Sequence, residues 1–247
     1  MIKSWKLIIG LCLFLVSCSL FLAPAGALGG NPPEVKADSS SASGPVGGKY
    51  IIDDFESGSI SSPREWWIFD IEKAEAVSNA DLKMGDVEVA GTVGQYSFLL
   101  NGKANNWYSG GGGVYLAKEN MDLSGYNALA VDVFGRGPNS GSIKFELFDD
   151  DNNNWQVEQD PAKNYAPIYD DKLTYNLKVD WRGWKHVIVP FDDFVDDNDG
   201  VGDDIWNPAQ ANGSGGLLQI QLICLATKDD GIVNVNLDNI SFIVSEE

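Results

Sequence analysis

The chain has 247 residues, 36 acidic and 17 basic side chains, a formal charge of −19 and one histidine. Binding to nucleic acid needs clustered Lys and Arg to displace counterions from phosphates, so that class is excluded, and an anionic membrane would repel the body of the chain. Three cysteines make no disulfide framework, and a lone histidine with no Ser or Cys motif near it supports neither a zinc site nor a catalytic triad.

The first 27 residues read as an export signal, with a basic "MIKSWK" followed by the apolar "LIIGLCLFLV". "LVSC" resembles a lipobox and would make Cys18 a lipidated N-terminus, whereas "APAGA" offers cleavage after Ala27 and release of a soluble protein. Left uncleaved, the run is of about the minimum length for an anchor. Residues 28–48, which hold "GGNPPEVKADSSSASGPVGG", are rich in Gly, Pro and Ser and too poor in apolar side chains to fold. They read as a tether, and 49–247 as one domain.

From Lys49 the apolar residues recur with period two in short segments divided by Gly/Asn/Asp turns. "YIIDDFESGSISSPREWW" opens the domain, and its Trp66 and Trp67 read as cover for a sheet edge. "DIEKAEAVSNADLKMGD" is the one stretch that could be helical. "NALAVDVFG" sets Leu129, Val131 and Val133 against Ala130, Asp132 and Phe134. "SIKFELFD" sets Ile143, Phe145 and Leu147 against Lys144, Glu146 and Phe148. "KLTYNLKVD" places Leu173, Tyr175, Leu177 and Val179 on one side. "WKHVIVPF" is apolar on nearly both faces, as a central strand would be, with Trp184 in the core. "LLQIQLICLA" alternates Leu218, Ile220 and Leu222 with Gln219 and Gln221, and Cys224 among them reads as a buried, inert thiol. "GIVNVNLDNISFIV" sets Val233, Val235 and Leu237 against Asn234, Asn236 and Asp238. Eight or more such strands predict an all-β, two-sheet sandwich, of which the jelly roll is one form.

The faces opposite the core carry Asp132, Lys144, Glu146, Gln219, Gln221, Asn234 and Asn236. On one sheet these would make a polar floor for a sugar, whose hydroxyls suit amides and carboxylates and whose C–H faces suit aromatic rings. Ordinary solvated strand residues have the same pattern. Acid-rich loops suit Ca2+, a hard cation that takes oxygen ligands. "VDDNDGVGDD", 195–204, resembles a calcium loop with Asp197, Asp199 and Asp203 around Gly200, although Val195 occupies the first ligand position; a solvated acidic turn is the other reading.

"IIDDFESG", "MDLSGYNALAVDVFGRG", "WRGWKHVIVPFDDF" and "GIVNVNLDNISF", in that order between Asp53 and Phe242, resemble the family 11 carbohydrate-binding modules. They are also similar to the jelly-roll domain of complex I intermediate-associated protein 30, within the galactose-binding-like superfamily. The resemblance implies a jelly roll that binds polysaccharide or oligosaccharide on a sheet face without catalysis, and structural Ca2+. It implies a metal clasp of Asp54, Glu56 and Asp238 where the first and last strands meet. It points to Trp107 with Tyr108, to Trp206 with Asp204, and to Trp155 as sugar-binding candidates. Where the family carries a ligand tyrosine in its penultimate strand, this chain has Leu225. A glycosidase would need two carboxylates flanking a cleft, and 36 acids single out no pair. A protein-binding assembly factor is the third reading, against which the export signal argues.

Overall fold

The structure is a computed structural model that describes residues 48–82, 93–116, 122–163, 165–209 and 214–246. The export signal, Cys18 and nearly all of the tether lie outside the described residues. Among the described residues no helix is long and apolar enough to cross a membrane.

The period-two alternation is realised as strands. In chain order these are β1 (Tyr50–Asp53), β2 (Trp66–Phe69), β3 (Lys73–Ser78), β4 (Tyr96–Lys103), β5 (Tyr108–Tyr115), β6 (Ala128–Arg136) and β7 (Ser142–Asp150). There follow β8 (Gln159–Asp160), β9 (Ala166–Pro167), β10 (Asp171–Lys178), β11 (Arg182–Pro190), β12 (Val195–Asp196), β13 (Gly216–Leu225) and β14 (Ile232–Ile243). One sheet runs β11-β6-β14-β4-β3, with β1 also paired to β14; the other runs β12-β10-β7-β13-β5-β2. Pairing within both is antiparallel. Phe98, Leu100, Val131, Val133, Val235 and Leu237 of the first sheet meet Val114, Ile143, Phe145, Ile220, Leu222 and Cys224 of the second in one buried cluster. This is the expected all-β sandwich, in which alternate residues of each strand fill the space between the sheets. Burial pushes the Cys224 thiol up to about 12, so it stays protonated and inert.

Four local expectations are corrected. The described part of the stretch that could be helical, 70–82, forms β3 and a single 3-10 turn, Asn79–Asp81, with Ala74 packed against the core and β3 paired to β4; its last residues, 83–86, lie outside the described residues. β11 is an edge strand, not a central one, and Ile188 is 44% exposed. A β-branched apolar run marks a strand but does not say how many neighbours it has. Trp184 is buried, but it packs edge-on against Phe134, on the face of the first sheet turned away from the sandwich core.

The seven residues expected to make one polar floor divide between the sheets. Lys144, Glu146, Gln219 and Gln221 belong to the second, and Asp132, Asn234 and Asn236 to the first. Asp132 and Asn236 are also fully buried. The Asn239 amide donates to Asp132 at 3.1 Å, and His186 Nδ1 lies 2.8 Å from its other oxygen. Asn236 donates to Ser97 Oγ at 3.0 Å and accepts from Arg136 at 2.8 Å. Asp132 and Asn236 are therefore sealed in a hydrogen-bond network on the outer face of the first sheet, whereas the side-chain oxygen of Asn234 on that face has no partner.

Candidate glycan-binding face

The more accessible outer face is that of the second sheet at its β2/β5 edge, to which "WW" leads; farther in, Gln219, Glu146 and Phe148 are buried, at 3%, 8% and 1% exposure. Neighbouring residues in a strand point to opposite faces, so only one of Trp66 and Trp67 can enter the core. Trp66 does, packing against Phe55 and Phe98 and donating its indole N–H to the buried Asp53 at 2.9 Å. Trp67 must then stand on the outer face. Its ring lies 4.6 Å from that of Tyr115, centroid to centroid, and Tyr115 is 62% exposed. With Pro63, Arg64 and Glu65 the two rings line a cavity of about 460 Å3. Arg64 is held there by its bonds to the Ile52 carbonyl at 2.8 Å and the Tyr50 hydroxyl at 2.9 Å.

Polar residues extend inward from these rings in rows across the sheet. Trp67 pairs with Gly113, Gly113 with Gln221, Gln221 with Glu146, and Glu146 with Thr174. The next row is Tyr115, Gln219, Phe148 and Lys172. Lys144 lies 3.2 Å from Glu146 and holds its charge on the face. Glycine matters at position 113, because any β-carbon there would overlap the indole of Trp67. The side-chain-free backbone lets the ring lie down across β5 and cover Gly113, between the sheet edge and β13. At the far end of that edge the Tyr108 hydroxyl donates to Asp70 at 3.0 Å; burial and the Asp70 carboxylate push the phenol up.

Four of the expected sugar-binding residues thus share this face: Tyr108, Glu146, Gln219 and Gln221. The others sit elsewhere. Asp132 belongs to the closed network of the first sheet. Trp107 is half exposed in the turn between β4 and β5, with a left-handed backbone (φ 73°). Trp155 is in the loop after β7, its backbone N–H bonded to Asp150 at 2.7 Å. Trp206 leans edge-on against Phe191 at 5.2 Å and lines a separate cavity of about 360 Å3 with Tyr126, Pro190 and Asp192. Asp204 accepts from the Gly200 N–H at 2.7 Å and belongs to the acidic loop. Trp67 and Tyr115 were not expected. Strand alternation across "EWWIF" was the signal that could have found Trp67.

The acids expected to hold calcium are also placed. Glu56 and Asp238 meet at Gly94, where Glu56 accepts from Tyr96 N at 2.9 Å and Asp238 from Gly94 N at 2.9 Å and Asn239 N at 2.7 Å. Asp54 accepts from Glu56 N at 3.2 Å. Burial pushes the Asp238 carboxyl up to about 7, and the neighbouring Asp132 and Glu56 charges add to this. Among the described residues the three do not converge as a ligand triad, and backbone N–H groups meet the carboxylate oxygens of Glu56 and Asp238, so these residues do not fit a metal clasp on their own. In the 195–204 loop Asp197 is taken by two ammonium groups, Lys144 at 2.8 Å and Lys172 at 2.9 Å, which hold its carboxyl below the usual range against the effect of burial. Asp203 accepts from Ile205 N at 2.9 Å, and Asp199 is exposed.

No protein-family model matches the chain, and no curated protein matches it in sequence. Among solved structures it is similar to the family 11 carbohydrate-binding module of a cellulosomal cellulase from Clostridium thermocellum, with 16% identity and a TM-score of 0.46 over 82% of this chain and 98% of that one. The Clostridium thermocellum module in complex with a β-1,3-1,4-mixed-linked tetrasaccharide gives 16% identity and a TM-score of 0.47 over 83% and 99%. A xylan-binding CBM22 domain from Paenibacillus barcinonensis gives 16% identity and a TM-score of 0.38 over 78% and 98%.

Proposed function

We propose that this chain is an exported, non-catalytic glycan-binding domain held at the cell envelope by its N-terminal segment, and that it binds neutral polysaccharide on the outer face of the second sheet. One observation carries the reading. An outward-facing aromatic pair, the half-buried Trp67 and the exposed Tyr115, borders rows that hold Gln219, Gln221, Glu146 and Thr174, with a glycine-lined strand between. A pyranose offers an apolar C–H face and an equator of hydroxyls, and this strip offers rings to the first and amide and carboxylate groups to the second. Trp67 and Phe69, alternate residues of β2 about 6.8 Å apart along the strand, each reach over a glycine of β5, so this edge presents more than one ring to a chain of sugars. A net charge of −19 turns away anionic polysaccharides.

Calorimetric titration of the full chain with soluble neutral polysaccharides, mixed-linked β-glucan and xylan among them, tests this. Wild type is expected to bind at least one of them, and Trp67→Ala to bind it about tenfold or more weakly, the effect of losing roughly 1.4 kcal/mol of stacking and burial. Binding undiminished in Trp67→Ala, or no binding by wild type, contradicts the site. Release of reducing ends from the polysaccharide by purified protein contradicts the non-catalytic part.

A further inference from the structure

At the end of the sandwich where β7 and β10 meet, carboxylates are packed together in a way no hydrogen bond explains. "DDD" at 149–151 closes β7, and Asp171 opens β10 directly opposite Asp149. Like charges facing one another across an antiparallel pair are unfavourable, and here both are buried, at 0% and 1% exposure. Asp151, two residues beyond Asp149, falls on the same face. Each of Asp149, Asp151 and Asp171 offers a carboxylate oxygen within 4.8 Å of the other two.

The third wall is the 196–207 loop. Asn207 N donates to one oxygen of Asp149 at 2.9 Å, and Ile205 N to one oxygen of Asp171 at 3.0 Å. Asp171 N in turn donates to one oxygen of Asp151 at 3.1 Å. That leaves the second oxygen of all three, Oδ1 in each case, buried without a partner. Both oxygens of neighbouring Asp170, itself fully buried, are likewise unpartnered. Among the described residues no Lys, Arg or His lies within ion-pair distance of any of these four; the two ammonium groups nearby are spent on Asp197 and Glu146. Gly202 crosses the cluster so closely that a β-carbon would overlap the Asp171 and Asp151 carboxylates. Asp171 belongs to a second, more open group with Asp196 and Asp204 of the same loop.

We propose that Asp149, Asp151 and Asp171 form a calcium site, with Asp196 and Asp204 at its mouth. Three carboxylates that come within 4.8 Å of one another, each with a buried oxygen that has no donor, need a positive charge among them, and none of the protein's own is supplied among the described residues. The donor set is all oxygen, which selects a hard cation. Several monodentate carboxylates gathered from three loops suit the six to eight ligands and loose geometry of Ca2+ better than the strict octahedron of Mg2+. Without a cation, burial pushes the Asp149 carboxyl up to about 8 and that of Asp171 up to about 7, with the Asp151 charge adding to both. Bound there, the ion would tie β7, the start of β10 and the 196–207 loop into one body at the end of the sheet whose outer face carries Glu146 and Lys172.

The test uses the full chain stripped with chelator and titrated with Ca2+ alone, reading calorimetric stoichiometry and melting temperature. Wild type is expected to bind at least one ion and to melt on the order of 5 °C higher when loaded. Asp171→Asn is expected to weaken the uptake at least tenfold and to abolish the melting shift, and Asp204→Asn to weaken it several-fold. Asp238→Asn and Asp199→Asn should bind as wild type. Should Asp171→Asn fail to fold, the exposed Asp204→Asn and the wild-type shift still decide. No uptake by wild type at millimolar Ca2+, unchanged uptake in Asp204→Asn, or loss of uptake in Asp238→Asn overturns the proposal.

Discussion

The outer faces of the two sheets are written in the same alternating code and end up differently: Asp132 and Asn236 are fully buried, whereas Glu146 is 8% exposed and Gln221 half-buried. Asp132 and Asn236 stand in β6 and β14 as Glu146 and Gln221 stand in β7 and β13, one polar residue between apolar neighbours. The first pair is sealed beneath Asn239, His186, Ser97 and Arg136, each polar atom with a protein partner. The second pair lies beside the glycine strip of β5 and two outward rings. A polar residue on a strand therefore marks a face that is not the sandwich core. Whether that face is wet depends on which loops fold over it.

The comparison can be pressed with substitutions that should behave oppositely on the two faces. The largest effect on folding is expected from Asp132→Ala, which strands His186 and Asn239 in a buried network. A loss of about 3 kcal/mol, read from the urea midpoint, with polysaccharide binding intact, is the expected result. Gly113→Ala comes next. Its β-carbon would displace the Trp67 ring, so binding should fall about tenfold while stability drops by about 1 kcal/mol, the usual cost of overpacking. Gln221→Ala should leave stability within about 0.5 kcal/mol and weaken binding only several-fold, as one amide among several. Trp107→Ala, in an exposed turn, should change neither by a measurable amount. Reversal of the first and third results, with Asp132→Ala impairing binding and Gln221→Ala unfolding the chain, would interchange the open and closed faces.

The strands were legible because alternation is local: "SIKFELFD" carries its own face assignment. Their sheet membership was not, since β6 and β7 are neighbours in sequence yet lie in opposite sheets, and pairing with β14 or β13 is set a hundred and more residues away in the case of β6 and scores of residues away for β7. The candidate site divided in the same way. Gln219, Gln221 and Glu146 were expected from alternation and Tyr108 from the family resemblance, whereas Trp67 was passed over because "WW" beside a proline turn was read as one unit rather than as two faces. The acidic loop was read as a calcium loop on its own. Alternation in β12 gives Asp196 to the carboxylate cluster and Asp197 to the two lysines, and the loop's partners at Asp149, Asp151 and Asp171 come from segments that no local motif connects to it.

The central claim is the location of the glycan, and two double variants separate the open sheet face from the tryptophans of the loops. Calorimetric titration with the best-bound polysaccharide, below the melting temperature of each protein, should show binding lost in Trp67→Ala with Tyr115→Ala and retained within about threefold in Trp107→Ala with Trp206→Ala. The opposite outcome, binding retained by the first pair and lost by the second, would contradict the account and move the site off the sheet.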